Sequence, residues 1–145
     1  MEVKSKFSYG QKVDILDKNI NGEILGINIK IYDTNFITIY YDVYSEIGMI
    51  CEIPEHNISA CDSPMTINTQ FNLGEVVSYL DIDRYEKGLG CIYTGKVDGI
   101  FIYIHDNGNE DISYKLGSGW SNIYREWDLS NDFDTLLSKL IHKLD

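Results

Sequence analysis

The sequence predicts a mainly β protein in which two tandem β-units of related sequence precede one C-terminal α-helix. Three observations support this prediction: an opening motif that occurs twice, an alternation of apolar and polar residues with period two, and an apolar stripe at helical spacing near the end of the chain. The motif Phe-x-x-Gly-x-x-Val-x-x-Leu-Asp spans residues 7–17 and recurs at residues 71–81. A repeat at such a distance indicates that one supersecondary unit occurs twice.

The register of the repeat extends beyond the opening motif. The pattern Ile-x-Ile-x-Tyr at residues 37–41 corresponds to Ile-x-Ile-x-Ile at residues 100–104, and the Asn-Ile pair at 57–58 corresponds to the same pair at 122–123. This agreement places both units in the same order of short strands.

The repeat divides the chain into a first unit over residues 1–62, a second over residues 63–129 and a helical segment over residues 130–145. The turn-rich stretch Cys-Asp-Ser-Pro at residues 61–64 suits a linker between the units. Because units of this length lie at the small end of what folds independently, we expect an intimate interface between them.

Alternation with period two, filled by β-branched and aromatic residues, predicts the strands of both units. In the first unit the predicted strands are Lys12–Leu16, Gly22–Tyr32, Phe36–Tyr44, Met49–Ile53 and, after a tight turn at Pro54–Asn57, Ile58–Cys61. In the second unit they are Val76–Leu80, Gly90–Lys96, Ile100–His105 and Asp111–Leu116. The pair Asp98-Gly99 and the triplet Asp106-Asn107-Gly108 are predicted hairpin turns, since Asp-Gly supplies the positive φ angles of a tight turn.

Five short strands, a longer first loop, two hairpins and a tight turn before the last strand resemble the small SH3-like barrel, in its Tudor-type variety. The likeness covers most of the chain and includes the opening Gly-x-x-Val pattern. The resemblance implies two tandem small barrels. It also implies a cage of aromatic rings and carboxylates that grips a methylated or free cationic side chain through cation–π attraction. The candidate cage residues are Tyr44 with Glu46 in the first unit, and Tyr85 with Asp83, Tyr114 or Trp120 in the second.

The end of the chain carries the pattern of an amphipathic helix. Its apolar residues fall at i, i+3, i+4, i+7, i+8 and i+11 and are Phe133, Leu136, Leu137, Leu140, Ile141 and Leu144. Ser130 or Asn131 can cap the predicted helix, which runs from about Asn131 to Leu144. The apolar stripe either packs on a barrel edge or across both units, or it forms a dimer or partner contact, so both a monomer and a homodimer remain open.

Charge favours a basic partner over nucleic acid. The chain has 145 residues with 12 Lys and Arg against 23 Asp and Glu, a formal net charge of −11 that both units share. Such a chain repels phosphate backbones, and no basic stripe offsets this, so direct nucleic-acid binding is not expected. A positively charged protein is the natural complement.

The sequence points to a soluble, cytoplasmic protein that does not bind a membrane. No stretch approaches the ~20 consecutive apolar residues of a membrane span, and the N-terminal residues lack the apolar segment of a signal peptide. The cysteines Cys51, Cys61 and Cys91 have neither metal-binding nor redox spacing and are expected to be reduced thiols.

Motifs for catalysis are missing from the sequence. There is no phosphate-binding loop, no His-Glu-x-x-His, no Cys-x-x-Cys and no Gly-x-Ser-x-Gly. The acidic turn at residues 106–111 lacks the order of a calcium loop and is interpreted as a solvated hairpin. We therefore expect no enzymatic activity, no cofactor and no metal site.

Aromatic residues supply the remaining functional signal. If residues 100, 102 and 104 face the core, Phe101 and Tyr103 point outward, and the same alternation turns Tyr40 outward. These rings either join one barrel to the other or form a contact face for a partner. Trp120, in the segment Gly-Ser-Gly-Trp, either contacts a partner or covers the end of the barrel. The predicted partner-binding residues are Tyr40, Tyr44, Glu46, Asp83, Tyr85, Phe101, Tyr103 and Trp120.

The sequence therefore predicts a non-enzymatic intracellular binding protein that presents an acidic, tyrosine-rich face to a basic protein. An inhibitor fits this description best, such as an immunity protein against a nuclease toxin or a phage-encoded blocker of a nucleic-acid-handling enzyme. The composition, rich in Ile and Asn and poor in Ala, is typical of bacteria with AT-rich genomes or their phages. The alternative is a Tudor-like reader or adaptor that binds a peptide or a modified side chain.

Overall fold

A computed structural model describes residues 1–32, 36–80, 92–117 and 123–132, together with residues 134 and 136–138. Within these residues the chain forms twelve β-strands and two short 3-10 helices. The prediction of a mainly β protein is therefore confirmed. Among the helical segments that the structure describes, none is long and apolar enough to cross a membrane.

The first half of the chain forms a sheet with the strand order β6–β2–β3–β4–β5. Its elements are β1 (Glu2–Ser5), β2 (Lys12–Ile15), β3 (Ile20–Tyr32), β4 (Ile37–Ser45), β5 (Gly48–Pro54), the 3-10 helix η1 (Glu55–Asn57) and β6 (Ile58–Ser59). Strand β1 lies outside this order and pairs elsewhere.

The second half has the corresponding order β12–β8–β9–β10–β11. Its elements are β7 (Met65–Asn68), β8 (Val76–Leu80), β9 (Ile92–Ile104), β10 (Glu110–Leu116), β11 (Ile123–Arg125), the 3-10 helix η2 (Glu126–Asp128) and β12 (Leu129–Ser130). Over the described ranges, neither β5 with β6 nor β11 with β12 pairs, so neither sheet closes on itself.

Among the strands that the structure describes, two antiparallel pairings join the halves. Strand β3 pairs with β9 from Ile27 opposite Ile104 to Tyr32 opposite Gly99, which makes one continuous sheet of both halves. Strand β1 pairs with β7 over their whole lengths, with Val3 opposite Ile67. The close association expected for two small units is therefore present in the backbone itself.

One apolar core runs through both halves. Its central members are fully buried isoleucines from the paired strands β3 and β9, namely Ile27, Ile29, Ile31, Ile100, Ile102 and Ile104. Val3 and Ile67 from the β1–β7 pair belong to the same cluster. Complete burial of such a side chain stabilises the fold by about 1.5–3 kcal/mol, so each isoleucine of this seam contributes to the stability of both halves.

A buried tyrosine ties together three segments of the first half. The backbone N–H of Phe7 donates to the Tyr41 hydroxyl over 3.3 Å, and the Tyr41 hydroxyl donates to the Glu55 carboxylate. The rings of Phe7 and Tyr41 pack edge to face with centroids 5.7 Å apart. Burial, and next the hydrogen bond to Glu55, raise the pKa of Tyr41 well above its usual value.

The second half contains the same arrangement. The N–H of Phe71 donates to the Tyr114 hydroxyl over 3.3 Å, and that hydroxyl donates to the Glu126 carboxylate. The two rings lie edge to face at 5.2 Å. Because Tyr114 is fully buried in this contact, its inclusion among the candidate cage residues was wrong.

The turn predicted at Asp98-Gly99 was wrong, because β9 runs without interruption through both residues. Gly99 lies directly opposite Tyr32 on one side and Lys115 on the other. A Cβ atom at Gly99 would lie 3.3 Å from the Lys115 Cβ and 3.4 Å from the Phe101 ring. Gly99 therefore permits close packing on the surface of the sheet. The second predicted turn, at residues 106–108, is present in the structure.

The hydrogen bonds of the structure differ from the register that the sequence pattern predicts for the two halves. Gly10 N–H donates to the Ile24 carbonyl over 2.7 Å, and Gly74 N–H donates to the Val97 carbonyl over 2.8 Å. Strand β3 thus accepts from the opening motif of the first half as β9 does from that of the second. In these hydrogen-bonding schemes residues 100–104 take the position that residues 27–31 take in the first half, whereas the sequence pattern aligned them with residues 37–41. Likewise β12, and not residues 122–123, occupies the place of β6. Patterns of Ile-x-Ile occur in several strands, so the pattern alone does not identify the partner.

The described part of the C-terminal segment is helical at residues 134 and 136–138, and the rest of the predicted helix lies outside the described residues. The cap is Asp132 and not Ser130 or Asn131: Asp134 N–H donates to the Asp132 carboxylate over 3.1 Å, and Leu136 N–H donates to the Asp132 carbonyl over 3.3 Å. Leu136 is 3% exposed, whereas Leu137 is 38% exposed.

We expect Leu136→Ala to lower the free energy of unfolding by about 2–4 kcal/mol, because it leaves a cavity at a buried site. The matched variant Leu137→Ala should cost clearly less. Urea denaturation followed by circular dichroism measures both, and equal losses for the two variants would contradict the placement of Leu136 in a buried contact.

We expect Tyr41→Phe and Tyr114→Phe each to destabilise the protein by about 1–3 kcal/mol, because each leaves a buried backbone N–H without its acceptor. Tyr44→Phe, on an exposed ring, is the control and should be close to neutral. Chemical denaturation provides the comparison. Near-neutral results at both buried tyrosines would show that these hydroxyls do not hold the segments together.

Candidate functional site

A groove with a volume of about 790 Å³ crosses the outer face of the first half, over strands β6, β2, β3 and β4. We call it the Tyr44 groove. The residues that give it its chemistry are Lys12, Asp14, Glu23, Tyr44, Glu46 and Ser59. It is larger than the groove that contains Tyr40, which has a volume of about 490 Å³.

The alternation of the strands produces this groove. Val13 and Ile15 of β2 are buried, which turns Lys12 and Asp14 to the outside. Cross-strand pairing then sets Lys12 opposite Glu23, and Glu23 opposite Tyr44. Polar side chains from neighbouring strands are thus brought into one row across the sheet.

Gly22 lets the strands under the groove approach closely. A Cβ atom at this position would lie 2.4 Å from the Tyr44 carbonyl oxygen and 2.6 Å from a Val43 methyl group. Any side chain there would push β3 from β4 and disturb the row that contains Tyr44.

The hairpin between β4 and β5 closes one end of the groove. Ser45 and Gly48 face each other, the Ser45 hydroxyl donates to the Gly48 carbonyl over 2.9 Å, and Ile47 N–H donates to the Ser45 hydroxyl over 3.3 Å. Gly48 has a φ of 110°, a value that favours glycine. This turn holds Glu46 and Ile47 at the tip of the hairpin.

The electrostatic character of the groove is negative. Of the described residues that line it, Asp14, Glu23 and Glu46 supply three carboxylates, and Lys12 supplies one cation. The ion pairs found over the described ranges include none of these three carboxylates, so their charge faces solvent. A cationic ligand is the electrostatic complement of such a surface.

Tyr40 lies in a second, smaller groove of about 490 Å³. It faces Pro54 across the β4–β5 pair, and Lys6 and His56 line the same depression. The structure therefore separates Tyr40 from Tyr44, which lies in the larger groove.

Phe101 and Tyr103 point outward as predicted, and both contact the first half. The Phe101 ring packs edge to face on Tyr32 at 6.3 Å, and the Tyr103 hydroxyl donates to the Asp42 carboxylate over 2.9 Å. The sequence left open whether these rings join the two halves or form a contact face for a partner. The contacts observed here join the halves.

Asp42 holds a distorted part of the sheet edge. One of its carboxylate oxygens accepts the bond from Tyr103, and the other accepts the N–H of Glu52 over 3.0 Å. Glu52 has a φ of 56°, where the register between β4 and β5 shifts. Burial, followed by the hydrogen bond to Asp42 and its charge, raises the pKa of Tyr103 to about 12.

The predicted site residues are thus distributed over several places. Tyr44 and Glu46 share the larger groove, Tyr40 lies in the smaller one, and Phe101 and Tyr103 lie where the halves join. The predicted residues Asp83, Tyr85 and Trp120 lie outside the described residues.

Sequence reasoning missed Asp14 and Glu23, which line the groove beside Tyr44. Their signal was present in the alternation of β2 and β3, which turns both carboxylates outward. The alternation shows which face of the sheet a residue lies on, but it does not show which strands pair. The pairing of the strands brings Asp14 and Glu23 together.

Metal ligands and thiols are the remaining chemical groups to consider among the described residues. Within the described part of the chain, no group of three or more His, Cys, Asp or Glu residues could hold a metal ion. Cys51 and Cys61 are free and exposed. Desolvation, with added repulsion from Asp42 and Glu52, raises the pKa of the Cys51 thiol, which disfavours the reactive thiolate.

Comparisons with models of known protein families, with curated proteins and with solved structures found no match to this chain. The residues and geometry of the chain itself therefore carry any assignment of function.

We expect Asp42→Asn to lower the pKa of Tyr103 from about 12 toward the usual value near ~10. Part of the increase should remain, because burial of the phenol remains. The control is Asp14→Asn in the Tyr44 groove, which should leave the pKa of Tyr103 unchanged. The pKa of Tyr103 is measured in each variant from the pH dependence of the NMR shifts of its ring carbons.

The same shift has a consequence for stability. Because the pKa of Tyr103 is higher in the folded state than in the unfolded chain, its contribution is complete below about pH 10 and is lost as the pH rises toward 12. In the Tyr103→Phe variant, the free energy of unfolding should therefore decrease less between about pH 10 and pH 12 than it does in the wild type. An unchanged pH dependence would contradict the Asp42–Tyr103 contact.

Proposed function

We propose that this protein is a non-enzymatic binding protein whose Tyr44 groove receives a positively charged segment of a protein partner. The observation that carries the proposal is the groove itself, in which an exposed tyrosine and three carboxylates line one open surface, and these carboxylates form no ion pair with another described residue. Exposed tyrosines of this kind are over-represented among the residues that dominate protein interfaces.

The overall charge supports a basic partner. A net charge of −11 makes the surface as a whole attractive to a cationic protein, and the groove concentrates part of that charge. Complementary charge accelerates encounter and disfavours acidic competitors.

We further propose that each half is a small barrel of the SH3-like type and that the two are repeats of one unit. Two features support this proposal: the equivalent strand orders, and the matching Phe–Tyr–Glu contacts of the two halves. Barrels of this size usually serve as binding modules, although a fold alone does not specify a function.

An inhibitor is the form of binding protein that we favour, either an immunity protein or a phage-encoded blocker of a nucleic-acid-handling enzyme in the cytoplasm. An acidic groove offers such an enzyme the charge that it normally meets in nucleic acid. In contrast, a Tudor-like reader requires several rings around one cation, and Tyr44 is the one ring that lines the groove among the described residues.

Affinity capture with matched variants tests the proposal. The tagged protein, the double variant Asp14→Asn with Glu23→Gln, and a control with Glu110→Gln and Asp128→Asn are each exposed to lysate of the host. A basic enzyme retained in stoichiometric amount by the wild type and the control, and inhibited by the purified protein, is the expected result. Equal capture by all three proteins would refute a role for the groove.

We expect association with a basic partner to slow markedly as the salt concentration rises, while dissociation changes less. The reason is that exposed charges are screened beyond about 8 Å at physiological ionic strength. Stopped-flow or surface-based kinetics at several salt concentrations measure both rates. An association rate independent of salt would assign the acidic surface to solubility alone.

A further inference from the structure

The hairpin at the end of the Tyr44 groove exposes three large apolar side chains. Tyr44 is 58% exposed, Ile47 is 72% exposed and Met49 is 47% exposed. Tyr44 and Met49 are directly opposite each other on β4 and β5, and Ile47 lies between them at the tip. We call these three residues the hairpin patch. Contiguous exposed apolar side chains beside a polar rim are typical of a docking site.

We propose that the partner docks through an amphipathic cationic segment, which places an apolar side chain on the hairpin patch and its positive charges over the carboxylates of the groove. This inference rests on the proposed function and adds the chemistry of the partner's contact. Charge complementarity identifies the occupant, because Glu46 belongs to the hairpin itself and Glu23 is directly opposite Tyr44.

The rigidity of the hairpin supports its use as an anchor. Its turn is held by the two hydrogen bonds of Ser45, and the strand beneath it is held close by Gly22. A partner therefore meets side chains on a preformed backbone, which reduces the entropy lost on binding.

The corresponding face of the second half has a different chemistry. By the matching hydrogen bonds of the two opening motifs and the two buried tyrosines, the counterparts of Lys12, Asp14, Glu23 and Tyr44 are Val76, Ser78, Lys96 and Gly117. There the Ser78 and Thr94 hydroxyls bond each other over 3.0 Å, and Lys96 replaces a carboxylate with a cation. We therefore assign the proposed docking to the first half, and the counterparts of the hairpin tip lie outside the described residues.

A second copy of the chain is a less suitable occupant. Two copies would each bring a net charge of −11, and the hairpin patch of one would approach a groove that repels it. Self-association through the patch is nevertheless a measurable outcome of the experiment.

Binding of synthetic peptides to the full chain, followed by amide shifts in NMR spectra at low salt, tests the proposal. The first probe is a short peptide with arginine and lysine around central leucines. The second has serine in place of the leucines at the same charge, and the third is acidic. We expect the first to bind most tightly and to shift the amides of Tyr44, Ile47 and Met49.

The variants give the quantitative test. Tyr44→Ala should weaken binding of the leucine peptide by about tenfold, as expected for truncation of an aromatic anchor. Glu23→Gln should weaken both cationic peptides, whereas Lys96→Gln in the second half should weaken neither. Since Tyr44 and Glu23 are exposed, an unchanged melting temperature is expected and excludes loss of folding as the cause.

Several outcomes would overturn the inference. Equal affinity for the leucine and serine peptides would remove the hairpin patch from the contact and leave the charge-based function standing. Shifts confined to the second half, or concentration-dependent dimerisation that Tyr44→Ala abolishes, would assign the patch to another role. Absence of binding by either cationic peptide would reject this docking mode, while the capture experiment decides the proposed function separately.

Discussion

The antiparallel pairing of β3 with β9 is the interaction on which the rest of the structure depends. It merges the two halves into one sheet, and it buries a seam of isoleucines in which Ile29 faces Ile102 at the centre. The pairs on either side mirror each other, with Ile27 opposite Ile104 and Ile31 opposite Ile100. Strand β3 belongs to the sheet of the first half and β9 to that of the second, and each also pairs with the other. A displacement of one half would therefore disturb the sheet of the other half as well. Phe101 and Tyr103 on the outer face add contacts across the same boundary.

Many strands could be predicted from the local alternation of apolar and polar residues. The wrong or missing predictions concern segments whose structure depends on which strand lies beside them. Val76–Leu80 was predicted with its observed bounds, because apolar alternation and the opening motif coincide there. Gly99 was read as a turn because Asp-Gly favours one, yet strands on both sides override that preference. The strands Glu2–Ser5 and Met65–Asn68 were not predicted. They are short, and each is stabilised by the other across a long stretch of intervening chain.

The candidate site was predictable only in part for the same reason. Tyr44 and Glu46 were singled out because they lie close together in the sequence at a hairpin, and the structure places them in one groove. Asp14 and Glu23 belong to strands whose outward residues look alike in sequence, and their grouping depends on which strand lies beside which. Sequence alternation gives the face of a residue, whereas its neighbours on that face are set by register.

The presence of both halves in one chain has a consequence for how the two faces can differ. In a symmetric homodimer every substitution appears in both subunits, so a change that makes one face acidic makes the other acidic too. A single chain is free of that constraint. It can carry Glu23 opposite Lys12 in one half and Lys96 opposite Val76 in the other, so that the two faces differ in charge.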